Sequence, residues 1–519
     1  MNPLCRLATV AAAAAILLGG CSTAPKLTMP DVPIAAAYKE AGPWTPAQPA
    51  DGLPRGNWWT MFGDADLNDL QTRLLQHSPD LAAALARYNQ AKAFSDQLRS
   101  GLFPSLVLGA NAQRDRQSAM RPLRGLVQPN DYNSFTAGVE IDYEFDLWGR
   151  VRNEVSAGRA QAQAYAADLE SARLSLQAQL ADDYLVLRGL DRQVATLNET
   201  VKAYESALEL TQTRHDGGIA SGLDVARAQT QLGTSRSLAA QTLALRAVAE
   251  HGIAALIGES ASEFSLPPKL APIELPQVPV GVPATLVQRR PDIAAAQRRI
   301  VASNASVGVA RAAFFPDVTL SATAGFQSTT AGNWLNAPNM FWSIGPSLLF
   351  TLFDAGKREA QVAQAEAALD ESGSLYRGIV LTAFQQVEDS LSLVHNYRDA
   401  AVEEHSAVTA AERSLDFALT RYREGEVSYL EVVTSQTITL QTQLDSLNLD
   451  TRELRASVQL IRALGGGWTE SDSQVSSANA VSPGSQHDAR DQNGDTAEKQ
   501  DGANDQRRHD LVALQHSGQ

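Results

Sequence analysis

The chain has 519 residues, 44% of them hydrophobic but only 6% aromatic, with Ala, Gln, Leu, Ser and Asp recurring through the middle. That composition favours long helices over one large mixed core. A formal charge of −15, from 43 Lys+Arg against 58 Asp+Glu, argues against the basic face that nucleic-acid binding requires, although plain solubility would use the same acidity.

Residues 1–20 read as an export signal. Arg6 supplies the positive start, and Leu7 to Leu18 form an apolar run too short to span a bilayer. The run ends in Leu18-Gly19-Gly20-Cys21, which looks like a bacterial lipobox, so Cys21 is the expected site of a covalent diacylglycerol and N-acyl chain. A plain secretory signal is the alternative. Ser22 stands where an inner-membrane retention Asp is often found, so the outer membrane is expected. Cys5 leaves with the signal, so the mature chain has no second cysteine for a disulfide. The proline-rich stretch 21–56 reads as an extended, lipidated arm.

Beyond the arm the chain is a duplication. Pro79-Asp80-Leu81-Ala82-Ala83-Ala84 returns as Pro291-Asp292-Ile293-Ala294-Ala295-Ala296, and Phe103-Pro104 returns as Phe315-Pro316. Arg214, Gly218, Leu223, Val225 and Gln229 match Arg421, Gly425, Leu430, Val432 and Gln436. The first copy, 57–260, holds a leading helix, strands at about 104–118 and 132–147, and long helices at about 150–215 and 221–258. A Pro-rich linker, 261–282, precedes the second copy, 283–468. That copy holds strands at about 316–330 and 340–353 and long helices at about 356–424 and 428–464. The tail, 469–519, is polar and without apolar periodicity, and is expected to be disordered.

The strands alternate with period two. Phe135, Ala137, Val139, Ile141 and Tyr143 make one face, continued by Phe145 and Leu147, while Glu140, Asp142, Glu144 and Asp146 lie on the other. Val318 to Phe326 and Trp342 to Leu352 alternate likewise. A half-buried soluble sheet would show the same pattern, but the helices favour a membrane. Val380, Val387, Val394, Ala401, Val408, Leu415 and Tyr422 keep a seven-residue stride, as do Leu180, Leu187, Val194, Val201 and Leu208. Such a stride means supercoiled helices, and the first would be a rod of about 100 Å. Four strands are too few to close a barrel, and an open edge is not tolerated in hydrocarbon. Several chains must therefore share one wall, with the acidic face inward; three copies would supply 12 strands.

The strings Trp58-Trp59, Phe145-Asp146-Leu147-Trp148-Gly149-Arg150, Arg290-Pro291-Asp292-Ile293, Phe314-Phe315-Pro316, Arg421-Tyr422-Arg423 with Gly425 and Tyr429-Leu430, and Ala463-Leu464-Gly465-Gly466-Gly467-Trp468 resemble the TolC-like outer-membrane efflux proteins. The likeness is to the lipidated branch that serves resistance–nodulation–division pumps. It implies a mostly α chain with membrane β, and a homotrimer whose 12-stranded outer-membrane barrel continues into a periplasmic α-helical barrel. It also implies docking to a periplasmic adaptor and an inner-membrane pump, with outer-membrane lipid around the barrel and small-molecule export as the task. Tyr422 and Arg423 would tether the closed tip and Leu430 would form its constriction. Thr434 stands where the family often has an acidic residue, leaving Glu431 or Asp224 as candidate replacements. Gly218 and Gly425 would turn the chain at the periplasmic tips, and Trp58, Trp59 and Phe62 read as packing residues.

No enzyme is expected. The eight histidines form no metal-binding spacing, and there is no phosphate-binding loop or nucleophile elbow, so neither cofactor nor metal is expected. A lipidated periplasmic coiled-coil linker without a pore is the rival reading. It would explain the lipobox and the heptads but not two hairpins of membrane-length strands.

Overall fold

A computed structural model describes residues 23–33, 35, 37–40, 57–120, 129–276, 278, 289–332 and 334–466. The signal, Cys21, part of the arm and of the linker, and the tail lie outside the described residues.

After a 3-10 turn at Trp58–Phe62, helix α1 (Ala65–His77) starts under an Asp64 cap whose carboxylate accepts from the Asp66 and Leu67 amides. Helix α2 (Pro79–Ser100) begins on a proline, whose missing N–H costs nothing at that position. Strands β1 (Ser105–Arg116) and β2 (Asp131–Glu144) follow, then α3 (Arg150–Asp216) and α4 (Gly222–Leu256). The second copy repeats the order with α5 (Pro291–Ala312), β3 (Asp317–Ser328), β4 (Met340–Leu349), α6 (Lys357–Glu424) and α7 (Tyr429–Ala463). Helix α3 has 67 residues and α6 has 68, each roughly 100 Å of rod at about 1.5 Å per residue.

Two strands are shorter than their alternation predicts. β2 stops at Glu144, after which the Phe145 amide still donates to the Val318 carbonyl at 2.8 Å, and β4 stops at Leu349, so Asp146, Leu147, Phe350 and Leu352 lie beyond the ladder. At β2 the cause is the approaching helix, whose first-turn amides take Asp146 as an acceptor instead of leaving it on the strand.

The helices pack as two antiparallel hairpins, α3 with α4 and α6 with α7, bridged by α3–α5, α5–α6 and α3–α7 contacts. Val380, Val387, Val394, Ala401 and Tyr422 are buried along α6, as the stride requires. Beyond Asp191 on α3 the buried positions are Leu197, Tyr204 and Thr211, three residues after Val194, Val201 and Leu208. A heptad has two core positions, and the one seated inside a single protomer is not the one the aliphatic residues mark.

The main core joins Trp58, Trp59, Phe62, Leu67, Leu70 and Leu74 to Leu180, Tyr184, Leu187, Ile253 and Val458. The tryptophans and Phe62 are thus packing residues. The described part of the arm contacts the second copy. Thr23 Oγ1 donates to the Gly308 carbonyl at 2.6 Å, Tyr38 is buried beside Ile293 and Val387, and the Glu388 carboxylate accepts from the Lys39 and Glu40 amides.

Around that core runs an ionic network. Asp191, with its side chain 1% exposed, accepts from Arg188 at 2.8 Å, Arg246 at 2.7 Å and the Lys269 amide at 3.1 Å. Arg188 reaches Asp66, and Lys269 Nζ reaches both Asp64 and Asp66. Burial alone would raise the Asp64 carboxyl, but hydrogen bonds from Lys269 and Tyr184 hold it below its ordinary value. Stability from Asp64 is therefore present above its unfolded value and is lost only as pH falls through the depressed one.

Asp183 behaves oppositely. Burial, then the neighbouring Asp182 carboxylate, pushes it up to about 6 against the opposing pull of Arg455. A raised carboxyl binds its proton in the folded chain first, so stability falls as pH rises from its unfolded value towards 6. Asp183→Asn is expected to raise the thermal midpoint at pH ~7.5 and leave it unchanged near pH ~4. Circular-dichroism melts at the two pH values decide, and equal shifts at both would refute the cause.

A lumen-facing sheet and a periplasmic tip

The sheet is antiparallel in the order β1-β2-β3-β4, without a bulge in its register. Directly opposed residues point to the same side, so faces can be followed across all four strands. One face carries Leu106, Leu108 and Ala110 beside Ile141, Val139 and Ala137, then Ala322, Ala324 and Phe326, then Ile344, Trp342 and Met340. These positions are all apolar, and Leu106, Leu108, Trp342 and Ile344 are exposed. The other face carries Asn111, Thr136, Glu140, Asp142, Ser321 and Thr323, of which Asn111, Thr136, Glu140 and Thr323 line an open hollow with Gly138 and Phe341. Ser321 Oγ donates to Asp142 at 2.6 Å. An apolar outside and a polar, acidic inside are the two faces of a membrane barrel wall.

Two of the four expected lumen carboxylates are otherwise engaged. Glu144 ends β2 and is paired with Arg150, which also holds Glu154 at 2.6 Å. Asp146 is off the strand, accepting from the Val151 and Arg152 amides and from Arg152 Nε at 2.9 Å. A carboxylate is favoured at the amide end of a helix, which is why it caps α3 rather than facing the lumen. Beside it Trp148 stacks on Phe315 at 4.6 Å and donates to the Pro316 carbonyl, tying the first copy's junction to the second's.

At the far end of the helices Gly218 and Gly425 turn the chain with φ of 74° and 81°, the left-handed region where a side chain would be strained. Between the two turns sits a small core of Ala228, Tyr422, Tyr429 and Val432. The Tyr422 and Tyr429 rings are 5.3 Å apart. Burial, with the nearby Tyr422 next, pushes the Tyr429 phenol up to about 12, so it stays neutral.

The gate candidates divide. Tyr422 is buried in this core, and its hydroxyl has no partner among the described residues. Arg423 is exposed, and its backbone carbonyl is the part engaged, accepting from Arg214 at 2.7 Å. Leu430 is 49% exposed at the start of α7. Thr434 is exposed and donates to the Leu430 carbonyl. Neither candidate for the acidic position is a bare carboxylate. Asp224 closes a capping box with Ser221 at the start of α4, and Glu431 pairs with Arg421 at 3.1 Å.

Sequence reading did not single out Arg214 as part of the tip. Its guanidinium lies 4.7 Å over the Tyr422 ring and donates to the Tyr422 and Arg423 carbonyls, both at 2.7 Å. These are last-turn carbonyls of α6, at the negative end of its dipole, and that of Tyr422 also accepts from the Gly425 amide at 3.1 Å. The available signal was the repeat itself, which pairs Arg214 with Arg421.

Long helical hairpins carrying a two-faced membrane sheet define a subunit of an outer-membrane channel. The outer membrane efflux protein family matches residues 70–259 and 282–466, and the chain belongs to it. The chain is 30% identical to the probable efflux pump outer membrane protein TtgC of Pseudomonas putida, covering 91% of this chain and 97% of that one. It is 31% identical to the pyoverdine export outer membrane protein OpmQ of Pseudomonas aeruginosa, over 89% and 97%. Among solved structures, the outer-membrane channel OprN superposes with a TM-score of 0.78 at 31% identity, covering 86% of this chain and all of that one. The Campylobacter jejuni CmeC channel, 22% identical, shares the fold with a TM-score of 0.82 over 88% and 98%. The protein is an outer-membrane efflux channel subunit that reaches into the periplasm.

Proposed function

We propose that three copies close a 12-stranded barrel and conduct small molecules delivered by a periplasmic adaptor and a resistance–nodulation–division pump. The observation that carries this reading is the sheet. Its edge strands β1 and β4 are unpaired among the described residues while its outer face is apolar, so β4 of one copy must meet β1 of the next. The export is passive, and the gate is an iris of helix tips at which Tyr422, Arg423 and Leu430 act with Arg214. The TtgC and OpmQ names support small-molecule export. Deleting the gene is expected to raise susceptibility to drugs or solvents, and re-expression to restore resistance. An unchanged profile across drugs, solvents, metals and siderophores would reject the reading.

Of the four carboxylates expected to face the lumen, Glu140 and Asp142 are the two left there, and they favour cations. Neutralising both as Glu140→Gln/Asp142→Asn is expected to move the reversal potential of a salt gradient towards zero in planar bilayers, more so at low salt. An unmoved potential would place selectivity elsewhere. Cys21 carries the lipid in this reading, and labelled palmitate incorporation should vanish in Cys21→Ser.

A further inference from the structure

On the outward face of the sheet, every strand charge stands at one end. The register places Arg114 and Arg116 in the row of Leu106, Leu108, Ala110 and Ala112, opposite Asn133 and Asp131. The other charged strand residues, Asp115, Glu140, Asp142, Glu144 and Asp317, all fall on the inward face. Helices α2 and α3 join β1 and β2 at the Ser105 and Glu144 ends, so the arginines stand at the end of the sheet away from the periplasmic helices. From Ser105, where β1 begins, the strand reaches Arg114. That is about 30 Å of strand at ~3.3 Å per residue, or about 23 Å along the membrane normal at a tilt of ~40°, against an apolar band of about 25 Å.

Arg114 therefore sits at the upper border of the apolar band, where the outer leaflet's headgroups begin. It is exposed, and its side chain has no ion pair or hydrogen bond among the described residues. Arg116 is 79% exposed and meets Asp131 only at 4.0 Å. Two guanidinium groups and one carboxylate leave this border cationic in each copy, and the collar would recur around an assembled barrel. An arginine can lay its methylenes along an apolar wall while its planar fork takes two oxygens of a phosphate.

We propose that Arg114 and Arg116 bind the phosphate groups of lipopolysaccharide in the outer leaflet and so fix the height of the barrel in the membrane. The proposal rests on the apolar face being the lipid-facing one. Anionic headgroups match the collar's charge, and the position continues the lipid-facing surface without a break.

The test is native mass spectrometry of the detergent-extracted full-length protein, titrated with bisphosphorylated lipid A, its monophosphorylated form and phosphatidylethanolamine. Wild type is expected to prefer the bisphosphorylated lipid, and Arg114→Ala/Arg116→Ala to lose that preference, by about fivefold per arginine. Added salt should weaken the wild-type preference. Equal binding of the three lipids by wild type, or an undiminished preference in the variant, would overturn it. A heat-modifiable oligomer band on gels reads the barrel assignment separately. Should the double variant fail to assemble, Arg114→Gln reads the same difference.

Discussion

Arg214→Ala is expected to shift the channel towards its open form, seen as larger or more frequent openings in planar bilayers. The side chain fastens the end of α3 to the end of α6 with two charged hydrogen bonds, each 2.7 Å, and a cation–π contact. Charge-assisted bonds are worth about 1.5–3 kcal/mol each when buried, and the contact about 0.5–2 kcal/mol. Arg214 is half-buried, so the low ends apply, and a coupling of about 2–4 kcal/mol remains, or roughly a 30- to 700-fold change in the open-to-closed ratio. Arg214→Lys keeps the charge but offers no planar fork to span two carbonyls, and should fall between. Arg423→Ala is expected to loosen the closed state less. The Arg423 carbonyl survives that substitution, and its side chain has no ion pair or hydrogen bond among the described residues. An Arg214→Ala conductance histogram identical to wild type would remove this fastening from the gate.

That contrast marks how far the sequence could be read. Heptad strides and tip glycines placed the four long helices within two residues of their observed ends, because a rod must end where its periodicity and its left-handed turn residues say. Alternation separated the two faces of the sheet, because the period of a strand does not depend on what surrounds it. It could not tell where β2 ends. Asp146 alternates with Asp142 as a strand residue would, and only the arriving helix amides claim it. The tip was legible as a place but not as a set of bonds. Asp224 and Glu431 look alike as candidate carboxylates, yet one caps its own helix and the other holds Arg421. Arg214 was hidden for a related reason, since its partners are main-chain carbonyls, which carry no residue identity.

Removing the Asp191 carboxylate is expected to destabilise the helical body strongly. The group is 1% exposed and lies between Arg188, 4% exposed, and Arg246, 11% exposed. Two cations this close repel each other unless a buried anion compensates them, and breaking such a group by deleting one member costs about 3–5 kcal/mol. Arg188 keeps Asp66 and the Pro267 carbonyl, and Arg246 keeps Glu250, which places the expected loss towards the lower figure. Asp191→Ala should therefore lower the thermal midpoint of the helical signal and speed proteolysis around 264–269, whose backbone Asp191 holds through the Lys269 amide. Asp191→Leu combined with Arg246→Met removes a charge of each sign and should recover part of the loss, because a well-packed apolar pair avoids the desolvation that the ions must offset. Full stability in Asp191→Ala would mean that water or a rearranged side chain already compensates the arginines. A double variant no better than the single one would instead locate the cost in the lost tie to Lys269.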